Sequence, residues 1–112
     1  MGKCRPCGSG TAPFSEKKAR QRLCEISGWE LAPDAKSIRA EYLMKDFGAA
    51  VRLINQIAEI AERENHHPDI HLTGYRALSI ELSTHAIHGL SENDFILASE
   101  INALPKPTRK DC

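Results

Sequence analysis

The sequence predicts an α+β domain in which helices lie on one face of an antiparallel sheet. Three observations carry this. The stretch from Asp46 to Glu64 places apolar residues at helical spacing. The segment from Tyr75 to Ser83 sets Leu78, Ile80 and Leu82 on one face and Ser79, Glu81 and Ser83 on the other, the period of a half-buried strand. The elements then follow as helix, two strands, helix, one or two strands, helix, an order that segregates the helices on one side of the sheet. With 112 residues the chain makes one domain with a real but modest core.

Residues 1–13 hold three glycines, two prolines, a serine and a threonine, with little to bury, and read as a flexible lead before a single domain over 14–104. Ser15 is placed to cap a helix running to about Ile26, with Ala19, Leu23 and Ile26 inward and Gly28 ending it. Trp29–Leu31 is a short strand, Pro33-Asp34 a turn, and the alternation of Ile38, Ala40 and Tyr42 with Arg39 and Glu41 a second strand. On the 46–64 helix the apolar residues fill about half the circumference, wider than the stripe of roughly 100° that packing on one sheet requires. The excess, centred on Leu53, Ile57 and Ile60, suits contact with a second copy of the chain; the alternative is cover by another helix of the same chain. Pro68 prevents helix continuation, Thr73-Gly74 is a turn or bulge, and a last helix runs from Ser91 to about Ala103, burying Phe95, Leu97, Ala98 and Ile101. Pro105 and Pro107 end it, and 105–112 is a polar tail.

Lysine plus arginine and aspartate plus glutamate number 15 each, so the net charge is zero. Without a basic excess to neutralise phosphates, direct nucleic-acid binding is not expected. No run of 18 apolar residues exists to span a membrane, and no apolar stretch follows Lys3 and Arg5 to make a secretory signal. A cytoplasmic protein is the expectation. Cys4 and Cys7 have C-x-x-C spacing, but no second pair completes a four-ligand zinc site. They read as a reduced thiol pair, with half a zinc site shared between subunits as the alternative; Cys24 and Cys112 point to no function.

The residues that carry chemistry are histidines. His66 and His67 follow the long helix, and His85 closes the alternating strand segment. Imidazole, with an unperturbed pKa of about 6.5, gives and takes protons near neutrality. A helix C-terminus also favours the protonated ring. Taken alone, the pair reads first as exposed loop histidines satisfying terminal carbonyls. His71 and His88 read as surface residues. A metal site of His66, His71 and His85 lacks its fourth ligand, so no metal is expected. Asp94 completes Ser91-Glu92-Asn93-Asp94, the S-x-x-[DE] pattern that opens helices, and capping is its default role.

In order, Asn65-His66-His67-Pro68, Tyr75, Leu82-Ser83-Thr84-His85 and Gly89-Leu90-Ser91-Glu92-Asn93-Asp94 resemble the pterin-4a-carbinolamine dehydratases. Each piece alone is weak; the combination is specific and covers about Trp29 to Ile101, close to two thirds of the chain. Cys4-x-Pro6-Cys7 and the His67–Leu72 segment look like bacterial and plant-type members; animal members more often carry an aromatic residue where Ile70 stands and one residue fewer before the tyrosine. The resemblance implies a four-stranded antiparallel sheet with three helices on one face, and dimers or tetramers formed partly through the 46–64 helix. It implies a hydro-lyase that removes water from 4a-hydroxytetrahydropterin in tetrahydrobiopterin recycling, with no cofactor. His66 and His85 become general acids and Asp94 a neighbour that orients His85. His67, with Pro68, Ser83 and Thr84, becomes the holder of the pterin ring. A competing implication is an assembly module, because animal relatives also serve as a dimerisation cofactor for a homeodomain transcription factor. The intact His66, His67 and His85 set favours the enzyme.

Overall fold

The computed structural model describes residues 12–104. Cys4, Cys7 and Cys112, with most of the expected lead and all of the tail, lie outside the described residues. Helix α1 (Glu16–Leu23) begins where the Ser15 side chain accepts a hydrogen bond from the Lys18 N–H, and it buries Ala19. It ends at Leu23, short of the expected Ile26. Glu25 and Ile26 bond back three residues, to the Arg22 and Leu23 carbonyls, so the chain leaves the α-helix in a tighter turn. Gly28 then takes φ +83°, which glycine adopts without steric cost. Trp29, next in the chain, is buried; its indole N–H donates to Asn102 Oδ1 at 2.9 Å, and the Asn102 amide donates to the Ser27 carbonyl.

Strands β1 (Glu30–Leu31) and β2 (Ile38–Leu43) pair antiparallel, with Leu31 opposite Ile38. Helix α2 (Phe47–Glu64) is capped by Asp46, whose side chain accepts the Ala49 N–H at 2.7 Å. After the histidine pair come two strands, β3 (Asp69–Thr73) and β4 (Ala77–Leu82). The expected strand start at Tyr75 moves to Ala77 because Gly74 and Tyr75, at φ +52° and +56°, form the hairpin turn. The four strands are ordered β1-β2-β4-β3, all antiparallel. A short 3₁₀ turn (His85–Ile87) leads to helix α3 (Glu92–Asn102).

The pairings Ile38↔Leu82, Ala40↔Ile80 and Ile70↔Ile80 place one apolar row against the helices, while Arg39, Glu41, His71, Ser79 and Glu81 occupy the opposite face. The inner row joins Leu53 and Ile57 of α2 and Phe95, Leu97 and Ile101 of α3 in one core cluster. Ion pairs tie the helices together: Arg22 of α1 grips Glu92 of α3 with Nη2–Oε2 at 2.7 Å, and Arg63 of α2 pairs with Glu100 of α3.

One expectation is corrected. Leu53, Ile57 and Ile60 are 1%, 0% and 8% exposed within the single chain, so they are not a free face for a second copy. The apolar half of α2 is wide because the helix meets both α3 and the sheet. Among the described residues, no helix is long and apolar enough to cross a membrane.

Candidate active site at the histidine pair

The site is built at the junction of the α2 C-terminus, the end of β4 and the α3 N-terminus. Asn65 closes α2 in the left-handed conformation, φ 53°, with its N–H shared between the Ala61 and Glu62 carbonyls. The His66 N–H bonds back to Ala61 at 3.1 Å. This is a helix-ending turn in which a non-glycine residue, best asparagine, takes the left-handed position. It turns the two adjacent histidines to different partners. His66 goes inward, its side chain only 10% exposed, and Nε2 lies 2.7 Å from Asp94 Oδ1. His67 stays outward and its Nε2 bonds Glu62, one turn back on α2.

Asp94 is completely buried. Its second oxygen, Oδ2, accepts from the Thr84 hydroxyl at 2.8 Å and from the Ser91 N–H at 2.9 Å. Ser91 Oγ lies 2.7 Å from Thr84 Oγ1 and accepts the Asn93 N–H. A hydroxyl has one proton to give. Thr84 gives its own to Asp94, so the hydroxyl–hydroxyl bond runs from Ser91 to Thr84. The Ser91–Asp94 capping box therefore exists as the sequence suggests, and it also orients a carboxylate toward an imidazole.

With Thr84, Ser91 and His66 all donating, Asp94 is provided for as a carboxylate. His66 Nε2 is then the N–H end of the ring, and Nδ1 is the nitrogen left for chemistry. A carboxylate that fixes one ring nitrogen sets the tautomer and stabilises the imidazolium when the other takes a proton.

This geometry revises two assignments. Asp94 attends His66, not His85, because the inward turn after Asn65 brings His66 against the start of α3. Thr84 is 5% exposed and its hydroxyl is committed to Asp94 and Ser91, so that hydroxyl supports the site from behind and is not free for a ring. His85 is exposed and sits next to Thr84 in the 3₁₀ turn, which two Thr84–Gly89 backbone hydrogen bonds close. Pro68 and Ser83 are half-buried, adjoining His67 and Thr84 respectively. His71 lies opposite Ser79 on the outer sheet face, away from the core side that holds Asp94, and His88 is exposed. Among the described residues, no three histidine, cysteine or acidic side chains gather as an ion-binding group.

The sequence reading missed Asn65 as the residue that separates the two histidines and Glu62 as the anchor of His67. An asparagine directly after a long helix was the available mark for the first. The pairing of Glu62 with His67 left no mark, because it depends on that left-handed turn.

The matches to known proteins agree with the motif order. The family model described as pterin 4 alpha carbinolamine dehydratase matches residues 12–104. A Halorhodospira halophila protein bearing that family's name is 43% identical, the match covering 90% of this chain and 92% of the relative. The mitochondrial pterin-4-alpha-carbinolamine dehydratase 2 of Arabidopsis thaliana is 42% identical, over 91% of this chain and 56% of the longer plant protein. A Brucella melitensis crystal structure, described as a transcriptional coactivator/pterin dehydratase, superposes with a TM-score of 0.76 at 28% identity, covering 81% of this chain and 96% of that one. A relative this similar over nearly its whole length, and a family model spanning the entire described fold, place the chain in the pterin 4 alpha carbinolamine dehydratase family.

Proposed function

We propose that the protein removes water from a pterin 4a-carbinolamine, giving the quinonoid dihydropterin. The observation that carries the mechanism is the His66–Asp94 pair, with Nε2 fixed by a buried carboxylate and Nδ1 left over. A proton from His66 Nδ1 passes to the departing 4a-hydroxyl. The C4a–O bond breaks, water leaves, and the N5 lone pair closes a C4a=N5 double bond as the N5 proton is lost to a base. One proton enters and one departs, so an acid and a base suffice and no electrons leave the substrate. Imidazoles suit both tasks near neutral pH. Asp94 holds the imidazolium before transfer and the correct tautomer after it. His85 serves as the acid for a hydroxyl on the opposite face of the pterin, and His67, with Pro68 and Ser83 beside the site, holds the ring.

The test is to generate the 4a-carbinolamine enzymatically, add the protein and follow the decay by absorbance. Acceleration over the spontaneous reaction supports the reading; no acceleration overturns it. A second reading, a non-catalytic assembly or coactivator partner, is favoured by the double description of the Brucella structure. A His66→Ala variant that keeps partner binding while losing dehydration separates the two.

A homo-oligomer and a cytoplasmic setting belong to the same reading. With Leu53, Ile57 and Ile60 inside the chain, the exposed Phe47 of α2, with Leu43 and Tyr75, supplies the apolar surface for a second copy. Light scattering showing a strict monomer at micromolar concentration removes the oligomer, and cell fractionation tests the compartment.

A further inference from the structure

The segment ahead of α1 reaches across the molecule to the loop that carries His85. The Phe14 N–H donates to the Leu90 carbonyl at 2.8 Å. The Phe14 ring stacks on Phe95 of α3, centroids 5.8 Å apart, and Lys18 Nζ lies over the Phe14 ring, 5.5 Å from its centre. One residue earlier, Pro13 presses on Gly89: a Cβ placed on Gly89 would meet Pro13 Cβ at 2.6 Å, closer than real carbons approach. Gly89 is not in the left-handed region. Its lack of a side chain is therefore required by Pro13 and not by its own backbone.

Gly89 and Leu90 form the far end of the His85 loop. The near end is Thr84, whose hydroxyl is bonded to Asp94 and whose backbone is paired with Gly89 at 2.8 and 3.4 Å. The loop is thus held from two sides, by the Asp94 network beneath Thr84 and by Pro13-Phe14 against Gly89-Leu90. His66 bonds directly to Asp94 in the first support, whereas His85 lies in the loop between the two.

We propose that Pro13 and Phe14 are positioning residues for His85, a strap that sets where its imidazole stands relative to the His66–Asp94 pair. The proposal rests on the dehydratase reading for its catalytic consequence but not for its structural one. A misplacement of about 1 Å in a catalytic group costs on the order of 100-fold in rate, and a Cβ at Gly89, 2.6 Å from Pro13 Cβ, forces Pro13 or the loop to shift.

The experiment uses the full chain with Phe14→Ala, Gly89→Ala and the double variant Pro13→Gly/Gly89→Ala. The readouts are kcat and KM for carbinolamine dehydration, thermal midpoint, and the imidazole NMR resonances of His66 and His85 as functions of pH. Phe14→Ala and Gly89→Ala are expected to lower kcat about 10- to 100-fold, to leave KM within a few-fold, and to move the His85 resonances while those of His66 stay. In the double variant the methyl group added at Gly89 occupies the room that the proline ring vacates, and most of the kcat and the His85 resonance positions return. Should Phe14→Ala fail to fold, the Gly89→Ala loss and its rescue carry the same information. Folded single variants with wild-type kcat and unmoved His85 resonances overturn the strap. A wild-type protein inert toward the carbinolamine overturns the dehydratase reading instead, and the resonances then decide the strap by themselves.

Discussion

His66 and His67 are neighbours with opposite circumstances, and the difference begins at Asp94. Asp94→Asn keeps the shape but replaces one acceptor oxygen by an amide that faces a donor. It is expected to lower kcat by about 100-fold or more, in the range of losing an acid–base partner; a variant within a few-fold of wild type removes Asp94 from the mechanism. His85→Ala is expected to lose at least about 100-fold while keeping its fold, and near-wild-type dehydration would end its assignment as an acid. Thr84→Val, which matches the volume but removes the hydroxyl, leaves a buried oxygen of Asp94 short of a donor and should cost about 1–3 kcal/mol of stability, whereas Thr84→Ser should restore most of it; denaturant titrations of the two variants check this. The histidines, Asp94 and the Ser91 cap were legible in the sequence because each is local or belongs to a motif. The pairing of Asp94 with His66 was not, since residues 28 apart meet only through the turn at Asn65.

Among the elements, α2 and β4 were the most readable, because periodicity over a long segment reports which face is buried. What periodicity does not report is who covers that face. Leu53, Ile57 and Ile60 looked surplus to one sheet, and α3 turned out to need them. Leu53→Ala is accordingly expected to cost about 2–5 kcal/mol in the isolated chain, as a core truncation does. A loss visible only as altered self-association would instead restore the subunit face. The contact between α2 and α3 also contains two acidic groups. Burial first, and then the Glu64 carboxylate, hold the Glu100 carboxyl above its ordinary value, with Arg63 opposing. A carboxyl raised in this way favours the fold fully when protonated, below the usual carboxylate range, and withdraws that support as pH rises through its raised value. Glu100→Gln, which cannot ionise, should therefore gain thermal midpoint relative to wild type between about pH 4 and about pH 7. A difference that does not change with pH contradicts this.

At the level of the molecule, the α+β class followed from element order, and helices over one face of an antiparallel sheet is what the structure has. The strand order β1-β2-β4-β3 was outside the reach of local pattern, because β2 and β4 are joined in space across α2 and β3. The site inherits this: His66, Thr84 and Asp94 come from three separate stretches of chain that the topology brings to one end of the sheet. Phe14 and Pro13 bring a fourth against Gly89 and Leu90, at the end of the loop that carries His85.

Trp29 is the single tryptophan of the chain, and its indole N–H is held by Asn102 in the last turn of α3. The opposite end of that helix begins at Ser91 and Asp94. The protein thus contains its own fluorophore, wired to the helix whose Asp94 bonds the His66 ring. Emission should shift to longer wavelength when α3 undocks and water reaches the indole. If the domain unfolds in one cooperative step, that shift will coincide with the loss of far-ultraviolet circular dichroism. A red shift that precedes it would show α3 leaving first, and would make the glow of one buried ring a running measure of whether the site is assembled.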